Sequence, residues 1–164
     1  MKPIFIFDAT PLIYFTKTRV LEKIEKFKSQ NIIPGKVYEE VVEKNTSLAD
    51  SGYIRQLVKK KLFEIRQISL RSLPNSQLSL ADLEVIALAK ELKGIALIDD
   101  KYAKQCAELE KVEVHGSLYL LFLFLEEKLI PLEEAQQVVD AMIENGWYCS
   151  PDLYATIHQK LKKY

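Results

Sequence analysis

The chain has 164 residues, a length typical of one domain, so we expect residues 1–164 to form a single domain. Apolar residues make up 48% of it, which is enough for a hydrophobic core and excludes a disordered protein. Lys plus Arg and Asp plus Glu are both 23, so the formal net charge is zero. This balance excludes a strongly basic nucleic-acid coat, and any contact with nucleic acid must be local or mediated by a metal.

Two further features of the sequence indicate the cellular compartment of the protein. Cys106 and Cys149 are far apart and lack the spacing of a zinc site or of a disulfide framework. The longest apolar run, LYLLFLFL at residues 118–125, is shorter than the roughly 20 residues that a membrane-spanning helix needs. We find no signal peptide before Asp8, and we expect a soluble, cytoplasmic protein without membrane contact.

Short apolar segments alternate with helical patterns along the chain. The predicted strands cover residues 4–7, 31–33, 63–68, 95–98 and 112–114. The predicted helices cover residues 10–27, 36–44, 53–62, 79–93, 101–110, 117–129, 131–146 and 150–163. In the first helix, Thr10 is the expected cap and Pro11 the first helical residue. The alternation predicts an α/β fold with a mainly parallel central sheet between two layers of helices.

Acidic residues stand at several of these boundaries. Asp8 directly follows the first strand, and Asp99 and Asp100 directly follow a later one. If those two strands are neighbours, their carboxyl ends lie at the edge of the sheet where such folds place their sites. Because a buried charge is costly unless it is paired or metal-bound, we interpret Asp8 as a site residue.

The other acids have structural alternatives. Asp82 follows Ser79 at capping-box spacing, so local sequence supports a cap and a site role equally. Glu39 and Glu40 flank the apolar face of their predicted helix symmetrically, and periodicity does not choose between them. Of Asp99 and Asp100, one is expected to cap the following helix while the other serves as a ligand.

Acid clusters without accompanying His or Cys predict a hard-cation site. Carboxylate oxygens suit Mg²⁺ or Mn²⁺, whereas zinc prefers nitrogen and sulfur ligands. Carboxylate-bound magnesium is the usual arrangement for phosphoryl chemistry.

The pattern resembles PIN-domain proteins, the ribonuclease family that includes the VapC-type toxins. The matching stretches are FIFDATPLIYF, IIPGKVYEEVVE, LADLEVIALAKELKG and ALIDDKYAKQCAE, which appear in family order within residues 4–110. The final GWYCSPDLYATI is similar to the tail of a less characterised PIN subfamily of nucleic-acid-binding proteins. The resemblance implies an α/β/α sandwich with a core of about residues 1–115, a helical extension of about residues 116–164 and metal-dependent cleavage of RNA.

The resemblance also assigns roles to residues. The first family acid falls on Asp8, with Thr10 as a nearby hydroxyl residue in contact with substrate. The second family acid falls on Glu40 and not on Glu39, and the third family acid falls on Asp82. The last falls in the Asp99-Asp100 turn, where we prefer Asp100. Asp8, Asp82, Asp100 and Asp99 are the expected ligands of Mg²⁺ or Mn²⁺.

Partners follow from the same resemblance. RNA is the expected substrate, and a toxin role would imply a small antitoxin protein. A homodimer is expected as well, partly because a helix that is apolar on all sides, such as residues 118–125, must be covered on all sides.

Two alternatives and one candidate basic patch accompany this interpretation. A haloacid-dehalogenase-type phosphatase would need a second acid at the position of Thr10. A non-catalytic RNA- or protein-binding module could keep the same fold and acids. Basic residues could contact phosphate, although a solvated surface explains most of them; they are Lys59, Lys60, Lys61, Arg66 and Arg71.

Overall fold

The computed structural model describes residues 1–44, 47–70 and 77–164. Its strands are β1 (Ile4–Phe7), β2 (Gln30–Pro34), β3 (Glu64–Arg66), β4 (Ile95–Leu97) and β5 (Glu113–His115). They form a five-stranded sheet in the order β3-β2-β1-β4-β5, and every neighbouring pair is parallel. The predicted parallel sheet is therefore confirmed.

Helices fill the connections between the strands, as parallel strands require. They are α1 (Ala9–Lys17), α2 (Ile24–Phe27), α3 (Gly35–Tyr38), α4 (Leu48–Lys59), α5 (Leu80–Leu92), α6 (Lys101–Leu109), α7 (Ser117–Glu126), α8 (Leu132–Glu144) and α9 (Pro151–Leu161). A 3₁₀ turn at Leu21–Lys23 precedes α2, and a π-helical segment at Glu39–Lys44 follows α3. The result is a three-layer α/β/α sandwich.

The central strand β1 carries the core. Phe5, Ile6 and Phe7 are fully buried, which explains why the strand is apolar at successive positions and does not alternate. Helix α5 packs against β1, β2 and β4, and its buried face includes Val85 and Ile86.

The strand order reverses between β1 and β4. From β1 the chain proceeds outward to β2 and β3, and it then crosses back so that β4 pairs on the other side of β1. The pairing continues past the strand ends, because the Asp8 N–H donates to the Leu97 carbonyl at 3.0 Å and the Ile98 N–H donates to the His115 carbonyl at 2.8 Å. Such a reversal opens a crevice at the carboxyl edge, where ligands bind in this class of sheet.

The first helix begins earlier than the sequence predicts. Thr10 does not cap it: α1 starts at Ala9, and Asp8 occupies the N-cap position without a side-chain capping hydrogen bond. The predicted start was wrong by two residues because Pro11, with its fixed φ, fits inside the first turn of a helix as well as at its first residue.

The predicted helix of residues 36–44 is not α-helical throughout. Gly35–Tyr38 is α-helical, and Glu39–Lys44 is π-helical. Hydrogen bonds from i to i+5 change the angle between successive side chains, so α-helical periodicity could not place the acids of this segment. Single-turn π segments occur often at functional sites.

The apolar helix α7 is covered within the chain. Leu120, Leu121 and Phe124 are fully or almost fully buried, and Phe124 packs edge-on against Phe27. Lys160 of α9 lies over the ring of Phe122. Leu118 and Leu123 of the same helix are half-buried, and the homodimer stays a prediction.

Within the three described ranges, we find no helix whose length and apolar content would let it span a bilayer.

Candidate acid site at the carboxyl edge of the sheet

Asp8 is the buried acid at the centre of the candidate site. Its side chain is only 6% exposed, although it lies at the end of β1 beside the switch point of the sheet. Burial raises the pKa of Asp8 from 3.8 to about 7, while the Ala9 N–H acts in the opposite direction. The carboxyl group therefore titrates near neutral pH, which is unusual for an aspartate.

Three further carboxylates contribute to this shift. The negative charges of Asp82, Glu40 and Asp99 each raise the pKa of Asp8 further. The structure thus brings together acids from the starts of α1 and α5, the π-helical segment and the end of β4. Four acids from separate parts of the sequence share one region of negative potential.

Asp82 combines two roles. Ser79 and Asp82 form a capping box at the start of α5: the Ser79 Oγ accepts from the Asp82 N–H at 3.1 Å, and the Asp82 Oδ2 accepts from the Ser79 N–H at 3.2 Å. The Ser79 hydroxyl also donates to the same carboxylate oxygen at 2.9 Å. The cap fixes Asp82 in place without removing its charge from the neighbourhood of Asp8.

The two glutamates of the π-helical segment have different surroundings. Glu39 pairs with Lys44 at 2.8 Å and with Lys36 at 3.0 Å, and these partners lower its pKa to about 2. Glu40 is half-buried and close enough to Asp8 to raise its pKa. The structure therefore places Glu40 at the acid site and Glu39 in surface ion pairs.

The adjacent acids Asp99 and Asp100 also separate. The exposed Asp100 caps α6, since its Oδ1 accepts from the Ala103 N–H at 2.8 Å. Asp99 faces the site, and its two carboxylate oxygens accept from the backbone N–H of Ser117 at 2.8 Å and from the Ser117 hydroxyl. Asp99, and not Asp100, is among the charges that raise the pKa of Asp8, and which of the two binds the cation stays a prediction.

Thr10 and Tyr14 line a cavity that reaches the acid site. Both lie on α1, half-buried, and Asp99 and Asp100 contribute to the same cavity wall. Burial together with the charge of Asp99 raises the pKa of Tyr14, which places the phenol near that carboxylate. The hydroxyl of Thr10 is therefore available at the edge of the site.

Two residues of this region were not identified from the sequence. Ser117, fully buried at the start of α7, orients Asp99; its position directly after a strand was the available signal. Glu84, also buried, accepts a hydrogen bond from the Lys36 N–H at 2.8 Å and so holds the start of α3. An acid between Leu83 and Val85 on an apolar helix could have indicated it.

The donors suit a hard cation in type, but they are not arranged as a finished cage. The acids supply only oxygen ligands, as magnesium and manganese prefer. Among the described residues, no group of three or more His, Cys, Asp or Glu side chains already surrounds one point. The negative charges around Asp8 would attract a cation, and binding would require the acid side chains to rearrange.

The basic residues considered above lie apart from these contacts. Arg66 is engaged by Glu64 through its Nε at 2.9 Å and its Nη2 at 2.6 Å. Lys59 ends α4, and Lys60 and Lys61 follow it, all exposed. Arg71 lies outside the described residues.

Comparison with known proteins gives a family. A sequence model of the family DUF3368, a PIN domain, matches residues 4–163. No curated protein sequence matches the chain.

Solved structures show a related fold. A PilT N-terminus domain protein from the hyperthermophilic archaeon Sulfolobus solfataricus superposes with a TM-score of 0.57 and 15% sequence identity, covering 75% of this chain and 94% of that one. A domain of a functionally unknown protein from Methanocaldococcus jannaschii gives a TM-score of 0.47 and 20% identity, over 70% and 90% of the two chains. At 15% identity, the first likeness shows the fold alone.

Proposed function

The chain belongs to the PIN-domain family, and from this premise we propose that it is a divalent-metal-dependent endoribonuclease that hydrolyses RNA phosphodiester bonds. PIN domains are usually nucleases and typically use divalent metals. RNA as substrate, magnesium or manganese as cofactor and the individual site residues are the finer parts of the proposal.

The environment of Asp8 is the observation that carries it. A buried carboxyl group that three other carboxylates repel is unfavourable for the fold. Proteins retain such groups mainly where function requires them, and perturbed acids cluster at active sites. A divalent cation would convert this repulsion into attraction.

Different residues of the chain would bind the cation, add negative charge and orient the ligands. Asp8, Asp82 and Asp99 would hold the cation, and Glu40 would add negative charge near Asp8. When bound, the cation neutralises phosphate charge and activates the attacking water. Ser117 and Ser79 keep Asp99 and Asp82 oriented through the hydrogen bonds described above.

Thr10 and Asp100 would act at the margin of the site. The Thr10 hydroxyl lines the cavity next to Asp99 and could hydrogen-bond to a substrate phosphate or ribose. Asp100 would keep its structural role as cap of α6 and add negative charge nearby.

A cleavage assay tests the proposal. Purified protein is incubated with single-stranded and structured RNA in Mn²⁺, in Mg²⁺ and in chelator, and the assay is repeated with Asp8→Asn. We expect cleavage only with metal, and a loss of at least about 100-fold in Asp8→Asn because a ligand and its charge are removed. His158→Gln on α9, a residue that neither lines the cavity nor acts on Asp8, serves as the control and should cut like the wild type.

A non-catalytic binding module is the second candidate function. It is favoured by the capping hydrogen bonds of Asp82, the Ser117 contacts of Asp99 and the absence of a ready-made metal group among the described residues. Intact RNA after incubation with the wild type and manganese, across a broad panel of substrates, would leave this function in place of the nuclease.

The remaining partners are proposals from family resemblance. A toxin role would be supported by a small protein encoded directly upstream that binds this chain and blocks cleavage. A homodimer would be seen as twice the 18.9 kDa chain mass in light scattering.

A further inference from the structure

A groove with aromatic walls runs from the acid site to the C-terminal part of the chain. Its volume is about 560 Å³, within the range of sites that hold small ligands. One wall carries Thr10, Tyr14 and Asp99, and the other carries Trp147 and Tyr148. The groove therefore joins the proposed catalytic acids to residues that the acid site does not use.

The aromatic wall comes from the connection between α8 and α9. Tyr148 is 84% exposed, so the faces of its ring are open to solvent. Trp147 next to it is half-buried. Tyr14 faces them from α1, so rings from distant parts of the sequence line one groove.

This connection is held in place at both ends. The Trp147 N–H donates to the Met142 carbonyl at 2.9 Å, and the Ser150 Oγ accepts from the Leu153 N–H at 3.2 Å to cap α9. Gly146 has a φ of +97°, a conformation that other residues rarely adopt, and it lies beside the Tyr14 hydroxyl. The rings are thus presented by an anchored segment, which lowers the entropic cost of binding.

Lys104 places a cation beside Asp99 in the same groove. A Cβ atom at Gly116 would lie 2.8 Å from the Asp99 Oδ1 and 3.0 Å from the Lys104 Nζ, so both charged groups approach the same point of the backbone. Lys104 also lines the groove. Its ammonium group can meet a phosphate immediately next to the carboxylates.

Aromatic faces, one cation and an adjacent acid site match the chemistry of an unpaired nucleotide. Bases stack on aromatic rings without regard to sequence, and lysine contacts the backbone. Bases within a duplex have no free face to offer. We propose that this groove binds the unpaired nucleotides of single-stranded RNA next to the scissile phosphate, with bases stacked on Tyr148 and Trp147 and a phosphate on Lys104; this inference rests on the ribonuclease function proposed above.

Trp147 provides a direct readout because it is the chain's one tryptophan. The experiment titrates Asp8→Asn protein, chosen to prevent cleavage, with a single-stranded RNA oligonucleotide in magnesium buffer while tryptophan fluorescence is recorded. We expect quenching by the single strand and much weaker binding of a blunt duplex of the same sequence. Adding Tyr148→Ala should weaken single-strand binding about 5- to 100-fold, the range measured when stacking aromatics are replaced.

Tyr164→Ala in the same background is the matched control, since Tyr164 is an exposed tyrosine that lines a separate cavity with Leu125 and Pro131. It should bind like its parent. Equal affinity for single strand and duplex, or Tyr148→Ala binding as tightly as Tyr164→Ala, would overturn the inference.

The result is independent of cleavage. If single-stranded RNA quenches Trp147 but the wild type never cuts RNA, the proposed groove is supported and the proposed nuclease function is contradicted. If the wild type cuts RNA but Tyr148→Ala does not change binding, the proposed nuclease function is supported and the proposed groove is contradicted.

Discussion

Asp8 and Glu84 are equally buried carboxylates with opposite surroundings. Each is 6% exposed. Glu84, in the middle of α5, accepts the Lys36 N–H at the start of a helical run that extends from α3 through the π-helical segment. That position offers both a hydrogen bond and the positive end of the helix dipole. Asp8 lacks a side-chain capping bond and faces three acids.

The difference teaches how to separate a structural acid from a functional one. Burial alone does not distinguish them, because the fold can stabilise a buried charge through a backbone donor. Asp8 also has a backbone donor, the Ala9 N–H, but burial and three like charges outweigh it, and an acid left in that state indicates a functional role. Four substitutions test this contrast.

Asp8→Asn should stabilise the metal-free protein at pH 8. The folded pKa of about 7 lies above the ordinary 3.8, so the native state binds more protons and the wild type loses stability as pH rises from about 4 to about 7. This pKa shift sets an upper limit of about 4 kcal/mol on the gain in the free energy of unfolding above pH 7. Urea unfolding in chelator at pH 8 and pH 4 measures the difference, which should vanish at pH 4. A variant less stable than the wild type at pH 8 would make Asp8 structural.

Glu84→Ala should have the opposite effect on stability and destabilise the protein. Removing the carboxylate leaves the Lys36 N–H without its acceptor and opens a gap in α5 packing, which together cost about 3 kcal/mol. Glu84→Gln keeps an acceptor of the same size and should lose much less. If the alanine variant unfolds at the same urea concentration as the wild type, Glu84 does not hold α3.

Ser117→Ala should loosen Asp99. The Ser117 hydroxyl bond to the carboxylate is lost while the backbone bond stays, at a cost of about 2 kcal/mol in the free energy of unfolding. The freed carboxylate should also bind metal less tightly. Ser117→Thr, which retains the hydroxyl, is the control, and metal affinity unchanged in Ser117→Ala would separate Asp99 from the site.

Ser79→Ala should have the smallest effect, about 1 kcal/mol, because it removes one half of a helix cap. A serine hydroxyl does not titrate, so this loss should be the same between pH 6 and pH 9, in contrast to the pH-dependent effect of Asp8→Asn. Thermal unfolding at three pH values measures it. A loss that grows with pH would show that Ser79 acts through the acid cluster.

Much of the fold follows from local pattern. All-apolar strands such as Ile4–Phe7 predict a sheet with helices packed on both faces. The spacing from Ser79 to Asp82 predicts the start of α5. The neighbouring positions of β1 and β4 could only be stated as a condition, because strand order depends on long-range pairing. The structure satisfies that condition.

The site was less accessible from the sequence. The π-helical segment changed the geometry that separates Glu39 from Glu40, and no pattern in EEVVEK signalled it. Asp99 and Asp100 are identical in type and adjacent, and their hydrogen-bond partners distinguish them: Ser117, 18 residues later, for Asp99 and Ala103 for Asp100. Tertiary contacts supplied what periodicity could not.

Calorimetric titration with Mn²⁺ tests the central claim that Asp8 is a metal ligand held in an unfavourable state. Wild type, Asp8→Asn and Asp100→Asn are compared at pH 8; Asn at position 100 can still cap α6 and removes one nearby negative charge. We expect binding in the wild type and in Asp100→Asn, with a higher melting temperature in metal, and a loss of binding in Asp8→Asn. No heat from the wild type at millimolar Mn²⁺, or equal affinity in Asp8→Asn, would contradict it.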